Sequence, residues 1–104
     1  MKYRKLPTFD RDFRKLSNAE RDVFRTFMRE QFIPAVKGYE EDVSGFSWPK
    51  GLRYEHLTAT RGIYAVTGSF SGPDGRATFE YETFEGELFL VWRRIGRHVI
   101  YKNP

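Results

Sequence analysis

The stretch Leu88-Phe89-Leu90-Val91-Trp92-Arg93-Arg94-Ile95-Gly96-Arg97-His98 constrains the fold more than any other part of the chain. An unbroken apolar run from Leu88 to Trp92 has no polar face to offer water, so it reads as a strand buried in the middle of a sheet. The strand breaks at Gly96, and Arg93, Arg94, Arg97 and His98 gather at its end. Histidine is the side chain whose ordinary pKa lies near neutrality, so it exchanges protons at working pH. Arginine stays charged and presents a planar fork of donors that matches phosphate. A proton-transfer group among fixed cations suits cleavage of a phosphodiester, and His98 is the first candidate for that role.

The rest of the chain is read around this strand. Residues 2–7 form a short first strand. Phe9, Phe13 and Leu16 recur at helical spacing. Ser17-Asn18-Ala19-Glu20 fits a capping box, in which the hydroxyl and the carboxylate satisfy orphan amides at a helix start. The helix that follows carries Val23, Phe24, Phe27 and Met28 on one side and Arg21, Arg25, Arg29 and Glu30 on the solvated side. Pro34 marks its end or a kink, and residues 34–51 read as an irregular loop with room for one helical turn. From Leu52 the period becomes two, with strands over Leu52–Leu57 and Ile63–Gly68. Gly72-Pro73-Asp74-Gly75 is a turn, because proline presets φ and glycine takes left-handed backbone. Ala77, Phe79 and Tyr81 then alternate with Thr78, Glu80 and Glu82, as on a half-buried strand.

The expected fold is α+β in one domain over residues 1–104. A helical hairpin packs on one face of a twisted antiparallel sheet of roughly four to five strands. On the other face Arg76 lines up with Thr78 and Glu80, beside the end of the Leu88–Trp92 strand. Arg93 and Arg94, as strand neighbours, point to opposite faces.

Composition narrows the chemistry. The chain has no cysteine, which excludes disulfides and thiolate metal sites. Its only histidines are His56 and His98, too few for a His-rich metal centre, so no metal and no cofactor are expected. The net charge of +4 is compatible with a nucleic-acid partner. The charge is uneven: Glu40, Glu41 and Asp42 cluster mid-chain, while both ends are basic. No apolar run approaches the roughly 18–20 residues of a membrane span, and no apolar segment follows the basic start as in a signal peptide. The cytoplasm is the expected compartment.

The order of short strand, helical pair, sheet and basic end resembles the RelE/ParE superfamily of type II toxins. Phe9-Asp10-Arg11-Asp12-Phe13-Arg14-Lys15-Leu16 is similar to the opening of many members. Arg76-Ala77-Thr78-Phe79 falls where RelE and YoeB-like toxins carry an arginine followed by apolar residues. Arg94-Ile95-Gly96-Arg97-His98, with Tyr101 behind it, resembles the ending of YafQ-like and actinobacterial RelE-like members. RelE itself has lysines in the strand that aligns with Ile63–Thr67, where this chain has Tyr64 and Val66.

The resemblance implies metal-independent cleavage of messenger RNA, usually on the ribosome, and inhibition by a cognate antitoxin protein. It implies His98 as general acid or base. Arg76, Arg94 and Arg97 would hold the phosphate and its transition state, with Glu80 as a second base or an orienting group. Tyr64 and Tyr101 would be stacking platforms for bases, and Arg93 and Lys102 would contribute further contact to the RNA backbone. Two other classes stay open. One is a gyrase-inhibiting toxin of the ParE type, with a protein target and no nuclease chemistry. The other is a non-catalytic RNA- or protein-binding module on the same fold.

Overall fold

The computed structural model describes residues 1–57, 62–70, 72 and 74–104. The chain opens with strand β1 (Lys2–Lys5) and helix α1 (Pro7–Lys15), followed by α2 (Asn18–Phe27), a π-helical turn (Met28–Phe32) and α3 (Ile33–Glu41). A 3-10 turn (Lys50–Leu52) leads into β2 (Glu55–His56), β3 (Ile63–Gly68), β4 (Gly75–Phe84) and β5 (Glu87–Gly96). The chain closes with a 3-10 turn over His98–Lys102. The strands form one sheet in the order β1-β5-β4-β3-β2, with β5 inside it as its apolar run required.

The sheet is not antiparallel throughout. β1 runs parallel to β5, whereas the other pairs are antiparallel. The cause lies in the first connection. Leu6 donates to the Trp92 carbonyl at 2.9 Å and the Thr8 hydroxyl to that of Arg93 at 2.8 Å, so α1 starts on top of β5 and β1 must feed it from alongside.

An N-terminal helical hairpin is not what forms. A strand comes first, α1 lies against β5, and one long helix runs from Asn18 to Glu41. Its start is the capping box over Ser17 and Glu20, with reciprocal bonds of 3.1 and 2.8 Å. Pro34 does not end it. Ile33 donates to the Met28 carbonyl, five residues back, so the turn is wider than an α-turn. Proline lacks the N–H and presses on the carbonyl four residues before it, and a π-turn relieves both conflicts. Helix therefore extends through much of the stretch read as loop. The expected strand over Leu52–Leu57 shrinks to Glu55–His56, because Lys50–Leu52 coils and Arg53 takes left-handed backbone at φ 47°. Pro73 of the expected turn lies outside the described residues, but Gly75 still donates to the Gly72 carbonyl across it at 3.2 Å.

Phe9, Phe24, Phe27, Phe32, Phe79 and Trp92 fill the layer between helices and sheet. Val23, expected on that stripe, is exposed instead. On the far face Ala65, Thr78 and Val91 are buried, and so is Ile100 of the C-terminal turn. That turn folds back over β4 and β5, so the far face is partly covered by the chain's own end.

Candidate functional site

Strand alternation puts Arg76, Thr78 and Glu80 on the far face. Glu55 joins them, because it stands opposite Ala65, which stands opposite Thr78. The C-terminal turn completes a corner there. Residues three apart eclipse one another in a 3-10 turn, which brings His98 and Tyr101 together with ring centroids 4.9 Å apart. The Tyr101 hydroxyl donates to Glu55 Oε1 at 2.9 Å. The Arg76 guanidinium lies beside the same hydroxyl and also donates to the Gly75 carbonyl at 3.2 Å.

Tyr101 is pushed up to about 12. Burial is the main cause; the bond to Glu55 and the Glu55 charge add to it, and Arg76 opposes. At neutral pH Tyr101 is therefore a fixed donor that orients the Glu55 carboxylate. His98 and its neighbour Arg97 are exposed and have no polar partner among the described residues. The corner thus offers an imidazole without a polar partner, an oriented carboxylate and a half-buried arginine, with the exposed Arg97 next to His98 in the chain. Such a set can move protons and hold an anion.

Arg93, Arg94 and Glu80 belong to a different place. Thr78 pairs with Arg94 and Phe79 with Trp92, so Arg93 is an extra residue in β5, a β-bulge. The bulge removes the expected alternation, and both arginines reach the chain's last residues. Arg93 donates to Glu80 at 3.2 Å and to the Pro104 main-chain oxygen at 3.1 Å. Arg94 grips Asp12 through two nitrogens at 2.5 and 3.2 Å and donates to the Asn103 carbonyl at 3.0 Å. Asp12 also accepts the Ile95 amide at 3.2 Å, and the Thr78 hydroxyl donates to Pro104 at 3.1 Å. This network ties α1 and the tail to the sheet.

Tyr64 is on the wrong face for the corner. It pairs with Phe79 and packs its ring against Tyr54 at 5.5 Å and Tyr81 at 5.4 Å, on the side of the helices. Lys102 is exposed on the C-terminal turn. Two residues escaped the sequence reading. Glu55 carried no usable signal, since Tyr101 lies 46 positions away. Asp12 did carry one: it falls between Phe9 and Leu16 at helical spacing, a carboxylate on a stripe meant for burial.

Among the described residues no group of three or more His, Cys, Asp or Glu side chains is placed to hold a metal ion. No described helix is long and apolar enough to cross a membrane. No protein-family model matches the chain, no curated protein is significantly similar to it, and no solved structure matches it.

Proposed function

We propose that this chain is a metal-independent endoribonuclease, the toxin half of a type II toxin–antitoxin pair on a RelE/ParE-like fold. The observation that carries the reading is the meeting of His98, Tyr101, Arg76 and Glu55 at one corner. Its substrate is messenger RNA, cut in the cytoplasm and on the ribosome, and its inhibitor is a cognate antitoxin protein.

The nucleophile comes from the RNA itself. The 2′-hydroxyl gives up its proton and attacks the adjacent phosphorus. The bond to the 5′-oxygen breaks, and that oxygen takes a proton, leaving a 2′,3′-cyclic phosphate and a 5′-hydroxyl. His98 and Glu55 divide the two proton transfers. Glu55 replaces Glu80 in this scheme, because Glu80 is paired with Arg93. Arg76 and Arg97 hold the phosphate as charge builds on it. Acid–base help of this kind is worth about 10²–10⁴-fold, and charge stabilisation is of similar or larger size.

Induced expression with transcript mapping tests the reading, with wild type beside His98→Ala and Arg76→Ala. The expected result is growth arrest with new transcript ends, both relieved by either substitution. Arrest without cuts would replace this reading by a gyrase-type target. Absence of arrest would favour the binding module, a reading supported by the commitment of Arg93 and Arg94 to internal bonds.

A further inference from the structure

A trough runs between α1 and the end of β5, made of two hollows of about 350 and 370 Å³. They share Asp12 and Lys15, so they lie side by side. Arg11, Arg93 and Arg94 line the first; Arg97 lines the second, together with Glu20, whose carboxylate accepts the Ser17 amide in the capping box. Asp12 does not cancel this charge for a ligand, because it is buried and saturated by Arg94 and the Ile95 amide. Arg11, Lys15 and Arg97 are exposed and have no polar partner among the described residues. Lys15 gains something from the last turn of α1, where a cation complements the helix dipole. Arg11, in the middle of the helix, gains nothing of the kind. Nor is the trough apolar: oxygen acceptors already sit on its floor, the Asn103 carbonyl on Arg94 and the Pro104 oxygen on Arg93. Arg93 and Arg94 are thus held by internal acceptors, and the cations left for a ligand are Arg11, Lys15 and Arg97.

We infer that this trough is a phosphate track for a single nucleic-acid strand, with Arg11, Lys15 and Arg97 as its free cations. The track ends at Arg97, at the start of the C-terminal turn that carries His98 and Tyr101, although His98 itself lines neither hollow. Only the choice of RNA over DNA rests on the endoribonuclease reading; the phosphate contacts do not.

The test is binding of a labelled single-stranded RNA oligonucleotide to the His98→Ala protein, measured by anisotropy over a range of salt. Each phosphate contact to a single strand adds about 0.7 to the slope of log affinity against log salt. The Arg11→Gln/Lys15→Gln double variant should lower that slope by about 1.4 and weaken binding evenly across sequences. Arg25→Gln/Lys37→Gln, on the helices and outside the trough, removes the same charge and should change the slope far less. Equal slopes for the two double variants would overturn the track and leave only a net-charge effect. A second measurement needs no substitution in the trough: RNA should slow acetylation of Lys15 and leave Lys37 unaffected, and equal rates would also overturn it. If RNA binds this way while wild type cuts nothing, the track stands and the nuclease reading falls. If transcripts are cut but the slope does not move, the reverse holds.

Discussion

Asp12 does more for this fold than its single charge suggests. Its carboxylate takes two bonds from the Arg94 guanidinium and one from the Ile95 amide, and it is only 7% exposed. Replacing it by alanine leaves a half-buried cation with the Asn103 carbonyl as its one remaining acceptor, and a buried main-chain donor without a partner. Asp12→Ala should therefore cost about 2–4 kcal/mol in urea denaturation. The Lys2–Glu87 pair is a contrast, since both side chains are more than half exposed. Lys2→Ala should cost less than about 1 kcal/mol. Similar losses for both variants would mean that Asp12 is an ordinary surface charge. The residue was readable from the spacing Phe9, Asp12, Leu16. Its partner's geometry was not, because the bulge at Arg93 depends on pairing with Thr78 and Phe79, far away in the chain. For the same reason Tyr64 was sought at the wrong face: alternation alone does not say which face the helices will take.

At the scale of elements, the C-terminal turn decides whether the corner exists. It reaches the sheet through Ile100, and a Cβ built on Gly96 would stand 3.0 Å from the Ile100 side chain. Glycine there permits the close approach of turn to strand. Gly96→Ala should push the turn outward and carry His98 and Tyr101 away from Arg76 and Glu55. The expected stability loss is about 1 kcal/mol, at the low end for inserting a methyl into a packed site. RNA cutting should fall much further than the unfolded fraction explains. Gly51→Ala is the control, since a Cβ there meets nothing within 4 Å. If Gly96→Ala cuts RNA like wild type, the turn does not position the site. The elements themselves differ in legibility for physical reasons. β3 and the capped start of α2 are set by local pattern and match the structure to the residue. The helix past Pro34 does not follow from local rules, because the π-turn that carries it across the proline is held by the tertiary burial of Phe32 within it and Val36 just beyond it. β2 is cut short by the backbone at Arg53, which no composition rule anticipates.

Across the whole molecule, tyrosine proton affinity links the two faces of the sheet. On the helix side Tyr54 and Tyr81 share a hydroxyl–hydroxyl contact of 3.2 Å. Burial pushes Tyr54 up to about 12, and burial plus the bond to Tyr54 raises Tyr81 further. On the far side Tyr101 is also pushed up to about 12, again chiefly by burial. An unfolded tyrosine titrates near about 10. Between roughly pH 10 and 12 the folded protein therefore holds protons that the unfolded chain has released, and stability must fall as pH rises through that window. Below about 10 the contribution is fully present and the melting temperature should not depend on these groups. Thermal melts should thus be flat toward pH 10 and decline steeply above it. Tyr54→Phe and Tyr101→Phe should each make the decline shallower, and the double variant shallower still, because the two sites do not touch. Phenolate absorbance gives an independent reading. At about pH 11 the folded protein should show fewer than its six tyrosines ionised, and the remainder should appear together as it unfolds. Smooth titration of all six near pH 10 with the fold intact would rule out the half-buried tyrosine pair and the Tyr101–Glu55 bond alike, and with them the geometry of the corner.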